Sequence, residues 1–144
     1  AETGAPIVLM HNRKEKPYEN FMRDALGDLY ESIQIAKNAG VKDGQIILDP
    51  GIGFAKNLEE NLLMMRNLHV LTSLGYPVLL GTSRKSMIGN TLNLPVEERV
   101  EGTIASTCLG IQQGCRIIRV HDVKENARAA KMMDVMLGKV KVDG

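Results

Sequence analysis

Tryptophan is absent from the 144 residues, and aromatic residues make up only 3% of the chain. So few rings cannot build a platform on which nucleic-acid bases stack. Charge of one sign is missing as well: 18 Lys and Arg face 17 Asp and Glu, a formal net charge of +1. That balance gives no electrostatic case for nucleic acid or a membrane surface as partner. No apolar run approaches the ~20 residues of a membrane-crossing helix. The opening residues Ala1 to Pro6 lack the charged start and long apolar stretch of a signal peptide. Cysteine is scarce, with Cys108 and Cys115 the only two and no ligand-like His beside them. They read as buried, reduced thiols of a cytoplasmic protein, which argues against a disulfide scaffold. What remains is globular composition, 44% hydrophobic and 24% charged, with length for one domain and a core.

The chain repeats one pattern, a short apolar run followed by a helical stretch. The runs are Pro6 to Met10, Ile46 to Leu48, Pro77 to Leu80 and Arg116 to Val120. Rich in β-branched residues and Leu and too short for helices, they predict parallel strands buried on both faces. Between them, Glu19 to Ala39 carries Met22, Ala25, Leu26, Leu29, Ile33 and Ala36 near a 3.6 period, with Gly40 as its stop. Asn57 followed by Glu60 predicts a capped helix start running to about Ser73. Pro95 suits the first turn of a helix reaching Gln113, and Asp122 suits the cap of the last helix. Four βα units in succession admit a doubly wound sheet or a barrel, and both place ligands at the carboxyl ends of the strands.

Polar residues gather at those ends. The first end, Met10-His11-Asn12-Arg13, offers a flexible apolar wall in Met10. His11 reads either as a hydrogen-bonded structural residue or as a base or ligand, with no carboxylate near it in sequence. The second end, Asp49-Pro50-Gly51-Ile52-Gly53-Phe54-Ala55-Lys56, places a carboxylate at the mouth. Asp49 either caps its own loop or accepts two parallel N–H donors from a cyclic guanidine. Its two glycines match neither the dinucleotide fingerprint nor a P-loop. The third end, Gly81-Thr82-Ser83-Arg84-Lys85-Ser86, sets two cations among three hydroxyls, with Gly81 leaving space above the strand. The fourth, Arg119-Val120-His121-Asp122, puts a guanidinium and an imidazole two residues apart, on one face of an extended strand. That pair suits an anion; the alternative is Arg119 paired with an internal carboxylate. Together the ends describe a pocket for a nitrogenous heterocycle with a phosphorylated leaving group, without identifying the heterocycle.

These four segments, in this order, resemble dihydropteroate synthase of the Gram-positive bacterial type, a family of pterin-binding (β/α)8 TIM barrels in folate biosynthesis and a sulfonamide target. The resemblance implies that residues 1–144 supply the C-terminal half, strands five to eight with their helices. It implies joining of p-aminobenzoate to 6-hydroxymethyl-7,8-dihydropterin pyrophosphate, giving dihydropteroate and pyrophosphate. By the same resemblance Asp49 accepts from the pterin, Lys85 holds its other edge, and Met10 forms a wall with Gly81 leaving room for the ring. Phe54, Ser83 and Ser86 border p-aminobenzoate, and Arg119 and His121 take the pyrophosphate. Lys85, Arg119 and His121 are the catalytic candidates. Mg²⁺ is implied, held mainly by the substrate pyrophosphate and the family's first half rather than by residues here. A cytoplasmic homodimer is implied too, and the 144 residues alone are expected to lack activity because two flexible loops lie in the other half. The alternatives are a non-catalytic half-barrel module and a corrinoid-linked pterin methyltransferase. The Ser-Arg-Lys-Ser and Arg-Val-His clusters argue for the synthase.

Overall fold

The computed structural model describes residues 1–15 and 17–142. Strand β1 (Ile7–Met10) leads to helix α1 (Phe21–Asn38), and β2 (Ile46–Asp49) to α2 (Leu58–Arg66) and α3 (Leu68–Thr72). Strand β3 (Leu79–Leu80) leads to α4 (Ser86–Leu92) and α5 (Val100–Gln112), and β4 (Ile117–Ile118) to α6 (Val123–Met136). All four predicted strands are present at their predicted places, the third shortened to its last two residues and the fourth to Ile117 and Ile118.

Helix α1 forms where its period predicts. Asn20 caps it by accepting the Arg23 N–H at 3.1 Å, and Gly40 leaves it at φ 96°. Ala25, Leu29, Ile33 and Ala36 are its buried stripe, with Met22 and Leu26 packed against the core. Burying a Leu or Ile side chain contributes roughly 1.5–3 kcal/mol, so this one stripe fixes which face of the helix meets the sheet. Asn57 and Glu60 form the expected reciprocal cap of α2.

Four helices differ from the sequence expectation. The second divides at Asn67, whose side-chain amide turns back to the Leu63 carbonyl. The stretch from Pro95 begins as a 3₁₀ turn, Val96–Glu98, and becomes α-helix only at Val100. Helix α4 was not foreseen, being seven residues long with Gly89 inside it. Asp122 stands at the N-cap of α6 without a side-chain cap bond. Its carboxylate is taken instead by the Arg84 guanidinium, 3.0 Å away.

The strands are parallel and neighbour one another in chain order. β1 pairs with β2 from Ile7↔Ile46 to Met10↔Asp49, and β3 with β4 at Leu79↔Ile117 and Leu80↔Ile118. A parallel bridge at Leu48↔Val78 and the Leu48 N–H to Pro77 carbonyl bond, 2.9 Å, join the two pairs. Sequential order is that of barrel staves; a doubly wound sheet reverses order at its switch point. β2 is buried at Ile46, Leu48 and Asp49 and half-buried at Ile47, whereas β1 is not buried on both faces: Val8 is exposed. The core lies between the sheet and α1, α2 and α3, around Leu29, Leu48, Met64, Leu68 and Val78. The carboxyl ends of the strands therefore open together.

Candidate active site at the strand ends

Asp49 closes β2 with its side chain buried. One carboxylate oxygen accepts the Gly51 N–H at 2.8 Å. The other faces Arg119, whose Nη2 lies 3.6 Å away. The loop cap and the internal pairing left open by sequence are thus both present. Each takes one side of the carboxylate. The Arg119 side chain is 61% exposed, so the guanidinium is free to swing. It lies across Gly81: a Cβ there would stand 3.1 Å from Nη2. The space Gly81 leaves is filled by this guanidinium.

Arg119 and His121 lie just past β4, where the Arg119 N–H still donates to the Leu80 carbonyl at 3.0 Å. They line one cavity of about 170 Å³ with Gly81, Ser83, Lys85 and Val120. Ser83 Oγ accepts the backbone N–H of His121 at 3.0 Å and lies 2.7 Å from its Nδ1. With one donor already on Oγ, the hydroxyl hydrogen can go to Nδ1, and in that tautomer the ring offers Nε2–H to a ligand. A guanidinium fork, an imidazole N–H and an ammonium converging on a small cavity form a place for an anion.

Lys85 joins two strand ends. Its Nζ donates to the Ile52 carbonyl at 2.6 Å and lies 5.2 Å from the centre of the Phe54 ring. Burial lowers its ammonium pKa, the Asp49 carboxylate opposes that, and Arg119 adds to it. Phe54 presents its ring partly to solvent. Met10 is the register partner of Asp49 and is half-buried. Ser86 is exposed at the start of α4 and does not line the cavity. A larger cavity of about 390 Å³ lies away from this cluster, between α2, α4 and α5, and its walls are almost wholly apolar.

Sequence reasoning left His11 without a carboxylate and passed over Lys56. Asp28, from α1, accepts from His11 Nε2 at 2.9 Å and takes the Arg13 fork at 3.0 and 3.1 Å. On its other side His11 Nδ1 receives Lys56 Nζ at 2.7 Å. Burial first, then the Lys56 charge, hold the His11 pKa below its ordinary value. Burial brings Lys56 down to about 8. The only sequence signal was a lysine closing a glycine-rich loop, a pattern common on surfaces.

The fold and these side chains define an α/β protein with a ligand mouth at the ends of parallel strands, an anion pocket beside a buried carboxylate. Residues 1–121 match the family described as pterin binding enzyme, and the chain belongs to that family. The dihydropteroate synthase of Bacillus subtilis is 61% identical over 139 residues, 96% of this chain and 49% of that protein. That of Clostridium beijerinckii is 61% identical over 138 residues, 95% of this chain and 51% of that one. The crystal structure of a Clostridium difficile dihydropteroate synthase with pteroic acid superposes with a TM-score of 0.90 at 46% identity, covering 94% of this chain and 52% of that one. A Yersinia pestis dihydropteroate synthase with a sulfonamide drug gives 0.92 at 36%, covering 97% and 54%. The chain spans about half the length of the relatives it matches.

Proposed function

We propose that this chain is the C-terminal half of a dihydropteroate synthase barrel, strands five to eight, and carries the pterin and pyrophosphate sites of that enzyme. The observation that carries the reading is the convergence of Arg119, His121 and Lys85 on one cavity next to the buried Asp49 carboxylate. The sequential parallel strand order supports the barrel.

In this reading Asp49 accepts from the amino and ring N–H groups of the pterin once Arg119 turns from it to the pyrophosphate. Lys85 leaves the Ile52 carbonyl for the opposite pterin edge. The bond between the pterin methylene carbon and the pyrophosphate oxygen breaks, its electron pair leaving with pyrophosphate. Arg119 and His121 Nε2–H stabilise that leaving anion by fixed charge and hydrogen bonds. p-Aminobenzoate, bordered by Phe54, Ser83 and Ser86, then bonds through its nitrogen to the methylene carbon and gives up a proton to water. No side-chain nucleophile takes part. Burial raises the Cys115 thiol to about 11, so it is no thiolate at neutral pH.

Mg²⁺ belongs to the expectation for this enzyme. Among the described residues no group of three or more His, Cys, Asp or Glu converges to hold a cation. The side chains here do not fit a resident metal site, and no step above runs through one. A cytoplasmic homodimer is part of the same reading. Its support is the apolar side chains left exposed on α6, Met132 and Met136 among them. Within the described residues no helix is long and apolar enough to cross a membrane.

The test is pyrophosphate release from the pterin substrate with p-aminobenzoate, using this chain alone and with a supplied first half. The reading expects dihydropteroate only when both halves and p-aminobenzoate are present, with pyrophosphate released in equal amount. Methyl transfer to a corrinoid, or no turnover from the assembled halves, would overturn it.

A further inference from the structure

The loop after β2 is held in an uncommon shape. Gly51 and Gly53 take φ 67° and 88°, and Ala55, which has a Cβ, takes φ 53°. Left-handed backbone costs a non-glycine residue roughly 1–2 kcal/mol, so further bonds must hold it.

Lys56 does so from within. Its Nζ donates to the Gly51 carbonyl at 2.9 Å, the Phe54 carbonyl at 2.9 Å and His11 Nδ1 at 2.7 Å. An ammonium has three hydrogens, and these bonds use all three. His11 donates Nε2–H to Asp28, and its backbone N–H donates to the Asp49 carbonyl at 2.8 Å. A Cβ on Gly51 would strike the His11 carbonyl, so the two strand ends are closed against each other. Both side chains are buried, His11 at 2% and Lys56 at 6% exposure. Burying an ammonium is costly unless its hydrogens are satisfied, and here the bonds go to the one loop that carries Phe54 and the Gly51 amide capping Asp49. Lys85 grips the same loop at Ile52 from the cavity side. A ligand taking Lys85 would remove that grip, whereas Lys56 lies out of a ligand's reach.

We propose that Lys56 is a positioning residue: its bonds to His11, Gly51 and Phe54 set the Phe54 ring and the Asp49 cap, and so govern binding of the flat arylamine co-substrate. The identity of that co-substrate rests on the function proposed above; the clasp itself does not.

The test compares full-length protein with its Lys56→Met variant. Expected are a KM for p-aminobenzoate raised about tenfold, a kcat within about threefold, and amide exchange over residues 51–55 at least about tenfold faster with α1 and α5 unchanged. Unchanged KM with unchanged exchange, or a fall in kcat alone, would overturn the proposal. Exchange is measured whether or not the wild type turns over, so a failed substrate assignment is told apart from a failed clasp. For the wild type, needing no variant to fold, ¹⁵N spectra at pH 7 should show His11 protonated at Nε2 and bare at Nδ1. A proton on Nδ1 would remove the acceptor and contradict the proposal.

Discussion

The guanidinium of Arg119 lies 3.6 Å from the carboxylate of Asp49, across the mouth between the second and fourth strand ends. At 3.6 Å the two groups are beyond hydrogen-bond reach, and the largely exposed guanidinium is screened by water. The pair is cheap to break. A ligand with N–H donors for the carboxylate and phosphate oxygens for the guanidinium replaces one weak contact with two stronger ones, so the pair keeps both groups aimed at the mouth until substrate arrives.

Arg119→Lys tests the fork. Lysine keeps the charge but cannot bind two phosphate oxygens in one plane. The KM of the full-length enzyme for the pterin pyrophosphate should rise about tenfold, while that for p-aminobenzoate stays within about threefold. Steady-state kinetics with each substrate varied in turn would check this; an equal rise in both would place Arg119 elsewhere in the reaction.

Gly81→Ala tests the same side chain from beneath. The new Cβ would meet Arg119 Nη2 at 3.1 Å and Nε at 3.3 Å. An exposed guanidinium can yield a few tenths of an ångström, so stability should stay within about 0.5 kcal/mol while pyrophosphate affinity falls several-fold. Urea unfolding and phosphate-analogue binding measured together would show the split; a large loss of stability would mean that the guanidinium is fixed.

Acid and alkali should act on the buried pair in opposite senses. Unfolded His11 takes a proton near 6.5, but in the fold burial and Lys56 hold its pKa lower. The unfolded state then binds more protons, and stability falls as pH drops below 6.5. Unfolded Lys56 titrates near 10.5 and folded Lys56 near about 8, so its contribution rises with pH above 8. From 9 upward Cys115, raised to about 11, works against it. Denaturant unfolding should therefore show stability climbing between pH 8 and 9, by up to about 1 kcal/mol. The Lys56→Met variant should be flat there. A wild type flat or falling in that interval would contradict the assigned burial.

Strand starts, the α1 stripe and the Asn57 cap were legible because each rests on local pattern: a short apolar run, a 3.6 period, a reciprocal cap. Helix α4 was not, since seven residues with a Gly carry too little period to see. Arg119, His121, Ser83 and Lys85 were readable as a set because all lie at strand ends, which parallel topology brings together. The Asp28, His11 and Lys56 chain was not, for its partners stand 17 and 45 residues apart and no local rule links a lysine to a histidine. The occupation of the Gly81 space by Arg119 depends on a rotamer, which sequence does not encode locally.

The central claim is one site with two chemistries, a carboxylate for the pterin and cations for its pyrophosphate. Calorimetry of the full-length protein with 6-hydroxymethyl-7,8-dihydropterin, with and without its pyrophosphate, tests it most directly. Asp49→Asn should weaken both ligands alike, by the roughly 1.5–3 kcal/mol of a charge-assisted hydrogen bond, about ten- to a hundredfold in affinity. Arg119→Ala should abolish the advantage of the pyrophosphate form and leave the bare pterin nearly unchanged. Bare pterin binding untouched by Asp49→Asn, or a pyrophosphate advantage that survives Arg119→Ala, would contradict the account.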